Sequence, residues 1–165
     1  MNGKRIDVAR IAPVLGTFYP PPFDAPCRAR ERRKLGDAAG LTQFGVNLLR
    51  LPAGAWSSQR HWHSREDEFI YIVAGEVVLV SEALEERLVA GDAAGFPAGE
   101  ANGHCLQNRS KADALVLEIG TRSEAQDETL YPDIDLKAPA AQQPAMYTHR
   151  DGTPYQGLRR RGPGG

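Results

Sequence analysis

With 165 residues, the chain is long enough for one domain with its own core and too short for a second of ordinary size. Lys and Arg number 20 and Asp and Glu 21, a net charge of −1, so no general field draws in nucleic acid or an anionic membrane surface. A membrane-spanning helix needs roughly 20 apolar residues, and the best run here, Phe69 to Val80, is shorter and is broken by Gly75 and Glu76.

Residues 1–40 are rich in Pro, Arg and Gly and show little periodicity, which predicts an extended N-terminal arm. Their apolar stretch is interrupted by Pro13 and ends in Pro20-Pro21-Pro22, unlike the continuous apolar segment of a secretory signal. The only two cysteines, Cys27 and Cys105, lie far apart in sequence. Both features predict a cytoplasmic protein with free thiols, Cys105 being buried. The basic runs Arg28 to Lys34 and Arg159 to Arg161 read as solvated charge clusters.

Residues 41–120 are dense in β-branched and aliphatic side chains and predict the core. Strands are expected at Phe44–Leu51, Trp56–His63, Phe69–Val73, Val77–Val80, Glu86–Val89, His104–Asn108 and Ala114–Ile119. Turn signals separate them: Pro52-Ala53-Gly54, Ala74-Gly75, Gly91-Asp92, Pro97-Ala98-Gly99 and Asn102-Gly103. Short strands at this spacing indicate a sandwich or barrel. Leu84 to Leu88 also fits about one and a half helical turns, but Gly91 stops it too soon for a stable helix, so a hairpin is expected. Residues 121–156 form a polar C-terminal arm with two aromatic anchors, Tyr131 to Leu136 and Tyr147 to Tyr155. Residues 157–165 have almost nothing to bury and are expected to be disordered.

The chemistry concentrates in the middle zone, which holds three of the four histidines. In His61-Trp62-His63, a strand puts positions i and i+2 on one face, so both imidazoles can converge on one ion. Ser64 to Asp67 fits a hairpin loop, after which the chain returns at Glu68 beside the histidines; Glu66 and Asp67 are the competing carboxylates. His104 follows from a later strand, behind the tight-turn pair Asn102-Gly103. His61, His63, Glu68 and His104 make a mixed N/O set that suits a divalent ion such as Zn, Fe, Mn or Ni. A six-coordinate ion on four such ligands keeps two open positions for substrate. His149 is expected to be structural rather than a fifth ligand.

These residues carry a family resemblance. Gly54, His61-x-His63, Glu68 and Gly75 resemble the first motif of the cupin superfamily, and Gly91, Pro97-x-Gly99, His104 and Asn108 resemble the second. Two spacings depart from the pattern: six residues rather than five separate Gly54 from His61, and four rather than two separate Gly99 from His104. The resemblance implies an all-β, double-stranded antiparallel β-barrel (cupin or jelly roll) flanked by the two arms. It also implies a metal held by His61, His63, Glu68 and His104, and a homodimer. By strand alternation Tyr71 faces outward, either at a subunit contact or under the N- or C-terminal arm. The likeness is to small single-domain cupins, some described as sugar-phosphate or mannose-6-phosphate isomerase-like. It points to a small polar metabolite as ligand, with no nucleic-acid or membrane partner, and to isomerase-like or dioxygenase-like chemistry. A non-enzymatic metabolite sensor or a metal-stabilised structural protein is the competing expectation.

Overall fold

The computed structural model describes residues 5–164. Among these residues twelve strands run in chain order: β1 (Val14–Leu15), β2 (Glu31–Lys34), β3 (Phe44–Leu51), β4 (Trp62–His63), β5 (Glu68–Ala74), β6 (Glu76–Val80), β7 (Glu85–Val89), β8 (Ala93–Phe96), β9 (Cys105–Gln107), β10 (Ala114–Thr121), β11 (Thr129–Leu130) and β12 (Lys137–Ala138). The one α-helix among the described residues, α1 (Leu35–Ala39), is a single short turn between β2 and β3. No helix among the described residues is long and apolar enough to cross a membrane.

All pairings between these strands are antiparallel. The largest sheet has the order β1-β2-β3-β10-β5-β8; two three-stranded sheets have the orders β7-β6-β9 and β12-β11-β4. This is a mostly-β jelly roll, though hydrogen bonding does not close its sheets into one continuous barrel.

Alternation along the strands makes the core. Leu49 and Leu51 on β3, Ile70 and Ile72 on β5, and Ala114 and Val116 on β10 are buried against Val77 and Leu79 of β6, Leu88 of β7 and Leu106 of β9. A fully buried aliphatic side chain contributes about 1.5–3 kcal/mol, so this cluster supplies most of the driving force. Phe69, Tyr71 and Val73 on β5 take the opposite phase and stay 41–45% exposed.

Turn chemistry fixes the registers. Gly75 connects β5 to β6 at φ +77°, and a Cβ there would stand 2.6 Å from the Asp113 carbonyl oxygen, so only glycine fits both the left-handed conformation and the space. Asn108 is almost fully buried; its amide donates to the carbonyls of Leu51 and Ala112, both at 2.7 Å, and its Oδ1 accepts from Ser110. The last residue of the second motif therefore ties the loop before β10 to the end of β3.

Sequence reasoning placed β3 at its observed limits, and placed β5, β6, β7 and β10 to within two residues at each end. The hairpin at Leu84 is present: β6 pairs β7, and Ser81 receives a bond from its own turn at Leu84. Three expectations differ from the structure. Only Trp62–His63 of the expected Trp56–His63 strand is laddered, because Ser57 to Arg60 bend; Trp56 and His61 make isolated bridges instead. The N-terminal arm supplies β1 and β2 to the main sheet, and the run Arg28 to Lys34 is not simply solvated: Arg30 is buried and Arg32 pairs with Glu118. The segment expected to be a disordered tail is described through Gly164, where Arg161 exchanges backbone hydrogen bonds with Thr17 at 2.9 and 2.6 Å and Arg160 lies over the Phe18 ring. That pairing satisfies backbone groups of the N-terminal arm, a gain that apolar content alone does not reveal.

Candidate metal centre

The cluster is assembled by backbone pairing. His61 and His104 face each other across an antiparallel bridge, His61 N–H donating to the His104 carbonyl at 3.1 Å and the reverse at 2.8 Å. His63 lies two residues further along in β4, which pairs with β11 of the C-terminal arm. Glu68 opens β5 on the inward phase. Gly103 admits the arm closely, since a Cβ there would meet Pro132 Cγ at 2.7 Å; this seats the arm behind the histidines.

Three ring nitrogens converge on one carboxylate oxygen. Glu68 Oε2 lies 3.1 Å from His104 Nε2, 3.5 Å from His61 Nε2 and 3.6 Å from His63 Nε2. Oε2 is sealed from solvent, yet no donor reaches it with hydrogen-bond geometry. Ligand atoms about 2.1 Å from a common ion stand about 3.0 Å apart at right angles and about 3.4 Å apart in a tetrahedron. The ligand atoms of His61, Glu68 and His104 lie within 4.8 Å of one another, a span that one cation could bridge; His63 is tied to that group through its 3.6 Å approach to Glu68.

The Nδ1 atoms of His61 and His63 are engaged, whereas that of His104 is buried without a partner among the described residues. His63 Nδ1 donates to Asp127 Oδ2 at 2.6 Å. His61 Nδ1 meets the Gln59 carbonyl at 3.0 Å and Ser58 Oγ at 3.2 Å. Such partners fix the tautomer and leave Nε2 with its lone pair toward an ion. His104 is held differently: its ring stacks on Phe96 with centroids 3.4 Å apart.

Electrostatics follow from this crowding. Burial pushes the Glu68 carboxyl up, but His61, His104 and His63 outweigh it and hold it well below the usual carboxylate range. Burial pushes His61 down, and the Glu68 charge overcomes that and raises it. Burial wins at His104, which is lowered.

The competing carboxylates do other work. Glu66 accepts from the Ser123 N–H at 2.5 Å, and Asp67 Oδ1 accepts from the Ala98 N–H at 2.8 Å. A second cation-capable group, His63, Glu66 and Asp127, has its ligand atoms within 4.8 Å of one another, and within it His63 Nδ1 is bonded to Asp127. His149 lies elsewhere, donating to Asp135 at 2.6 Å and stacked on Tyr155.

A cavity of about 380 Å³ opens in front of the cluster, lined by His61, His63, Glu68 and His104 together with Arg30, Arg32 and Glu118. Arg32 grips Glu118 through two bonds of 2.6 and 2.7 Å. Arg32 lies in a run that reads as solvated, so its place on this wall was not expected. Glu118, in an otherwise apolar strand, reads either as solvent-facing or as lining the barrel mouth, and alternation on β10 places it inward with Val116. Asp127 gave no signal in its polar arm. Tyr19, Tyr131 and Tyr147 pack behind His61, with the Tyr131 ring 5.9 Å from the His61 ring.

Fold and cluster together define a small jelly-roll protein whose histidines and glutamate meet on the inner face of its sheets. The chain belongs to the cupin superfamily: residues 47–120 match the Cupin domain model, and the chain is 41% identical to a sugar phosphate isomerase of the cupin superfamily from Silicibacter pomeroyi DSS-3. That similarity covers 93% of this chain and 97% of the other, with a TM-score of 0.84. A candidate sugar phosphate isomerase from Acidithiobacillus ferrooxidans is 32% identical over 66% of this chain and 68% of its own, with a TM-score of 0.62. A protein from Thermotoga maritima described as a predicted oxalate decarboxylase is 21% identical over 72% of this chain and 98% of its own, with a TM-score of 0.60, and shares the fold. No curated protein matches the sequence.

Proposed function

We propose that this cupin holds one divalent metal ion through His61, His63, Glu68 and His104 and acts on a small polar metabolite, with isomerisation of a phosphorylated sugar as the favoured reaction. The observation that carries the metal is Glu68 Oε2, a buried carboxylate oxygen without a hydrogen-bond donor and with three Nε2 atoms within 3.6 Å. Buried charges are normally paired or metal-bound, and an ion among these four atoms would satisfy all of them. The substrate class is supported by the 41% identical isomerase, whose similarity spans nearly the whole chain.

A divalent ion there would polarise a carbonyl–hydroxyl pair. The chain's own residues would orient the substrate and move a proton between adjacent carbons. Both oxygens of Glu118 are tied to Arg32, whereas Glu66, on the same cavity wall beside His63, bonds the Ser123 N–H through Oε1 alone, so Glu66 is the carboxylate assigned to proton transfer. A homodimer and a cytoplasmic location complete the proposal. Exposed Phe69, Tyr71 and Val73 on the outer face of β5 support the first, and the free, buried Cys27 and Cys105 fit a reducing compartment.

Elemental analysis of the purified protein tests the metal. Close to one ion per chain is expected, lost in a His61→Ala/His63→Ala variant; unchanged metal in that variant would refute the assignment. Incubating the holoprotein with hexose and pentose phosphates in deuterated water tests the reaction. Deuterium entering the carbon next to the carbonyl is expected, and none with any sugar phosphate would shift the reading to a ligand sensor.

A further inference from the structure

A buried arginine on the cavity wall has no carboxylate partner among the described residues. Arg30 is 8% exposed and lines the same cavity as His61 and Glu68. Its Nε donates to the Gly16 carbonyl at 3.1 Å and its Nη1 to the Ser57 carbonyl; Nη2 has no hydrogen-bond partner among the described residues. None of the neighbouring carboxylates pairs with it: Asp24 Oδ2 meets Arg28 and Arg161 while its Oδ1 is buried without a partner, Glu31 pairs with Arg50, and Glu118 with Arg32. The Tyr19 ring lies 5.8 Å from its guanidinium carbon, a weak substitute for an anion.

A second cation crowds the same spot. Arg160 Nη1 donates to the Gly16 carbonyl at 3.2 Å, so two guanidinium groups share one acceptor. Burial lowers Arg160, and the charges of Arg30 and Arg32 lower it further. An arginine cannot relieve such repulsion by losing its proton. A buried positive centre that opens into a cavity is completed by an anion from outside, and the planar guanidinium fork matches phosphate or carboxylate oxygens. The site adjoins the histidine cluster: Ser57, which receives Arg30, is followed by Ser58, whose hydroxyl lies 3.2 Å from His61 Nδ1.

We propose that Arg30, backed by the charge of Arg160, is an oxyanion subsite that holds the phosphate or carboxylate group of a ligand whose polar end meets His61, His63, Glu68 and His104. The inference rests on the preceding reading only for that other end. Arg30 is then a specificity residue that excludes neutral analogues of the substrate.

Calorimetric titration of the purified holoprotein with inorganic phosphate, and separately with acetate, tests this. Saturable binding is expected, and the tighter of the two anions identifies the group recognised. Arg30→Gln should weaken binding by about ten-fold or more, the loss of a charge-assisted hydrogen bond, with metal content unchanged. Arg30→Lys should fall between, since it keeps charge and loses the fork. The His61→Ala/His63→Ala variant separates this claim from the metal assignment: it should still bind the anion, whatever its metal content. Absence of binding to the wild type, or equal binding to Arg30→Gln, would overturn the proposal, because anions would then have no site or only the metal. Should Arg30→Gln fail to fold, wild-type crystals soaked in selenate decide the matter. An anomalous peak within hydrogen-bond distance of Arg30 Nη2 supports the subsite, and peaks only elsewhere refute it.

Discussion

Replacing Asp127 should weaken metal binding without touching a proposed ligand. Its carboxylate accepts from His63 Nδ1 at 2.6 Å, from the Arg65 N–H at 2.8 Å and from Ser64 Oγ at 3.3 Å. The first bond is short even for a charge-assisted pair, and it turns His63 Nε2 toward Glu68. Losing such an outer partner typically costs about 10–100-fold in metal affinity, or about 1.4–2.7 kcal/mol. Asp127→Ala also removes the acceptor for the Arg65 and Ser64 donors, at a fold cost of about 0.5–1.5 kcal/mol each. Asp127→Asn is therefore the cleaner change: an acceptor remains and the negative charge goes. Competition against a chelator of known affinity gives the metal dissociation constant of each variant. Asp127→Asn should sit between wild type and Asp127→Ala. Asp67→Asn serves as the control, because Asp67 caps the Ala98 N–H and touches no histidine ring nitrogen. If Asp127→Asn and Asp127→Ala both bind metal as tightly as wild type, His63 is not oriented by Asp127 toward an ion.

Other consequences concern the scaffold. Leu49 is fully buried in the main core, so Leu49→Ala should cost about 2–5 kcal/mol in urea unfolding while leaving metal stoichiometry intact; a cost below 1 kcal/mol would mean that the core is loosely packed there. Burial pushes the thiols of Cys27 and Cys105 up to about 11 and about 12. Their stabilising contribution is complete below the unfolded thiol value of about 8.5 and is lost as pH climbs toward the folded values, so the urea midpoint should drop more between pH 8 and pH 10.5 in wild type than in Cys27→Ala/Cys105→Ala. Equal drops would contradict the burial. Deleting residues 157–165 removes both backbone bonds between Arg161 and Thr17; a stability loss of about 1–2 kcal/mol should lower Tm by a few degrees, and an unchanged Tm would show that the pairing carries no weight.

The middle of the molecule was legible because its signals are local. Alternation in Phe44 to Leu51 and Glu68 to Ala74, with Gly75 as the forced turn, fixes strands and faces within a few residues of sequence. His61-x-His63 and Glu68 are likewise close neighbours along the chain, so strand geometry alone brings them together. The periphery was not legible because its meaning is non-local. Glu31 to Lys34 looks like a solvated charge run until Glu118, far along the chain, is seen to meet Arg32. Asp127 and Arg30 carry no motif; only the return of the C-terminal arm onto β4 and of the N-terminal arm onto β3 puts them beside the cluster. The tail was misjudged by composition, since what Arg161 supplies is a backbone partner rather than apolar surface.

In the proposed centre, His61, His63, Glu68 and His104 share one ion. Crystals of the purified protein, measured at the absorption edge of whichever metal elemental analysis finds, test it most directly. One anomalous peak per chain is expected, about 2.0–2.2 Å from the Nε2 atoms of His61, His63 and His104 and from a Glu68 carboxylate oxygen, with further density at open positions facing the cavity. A peak instead among His63, Glu66 and Asp127, or no peak near Glu68, would contradict it.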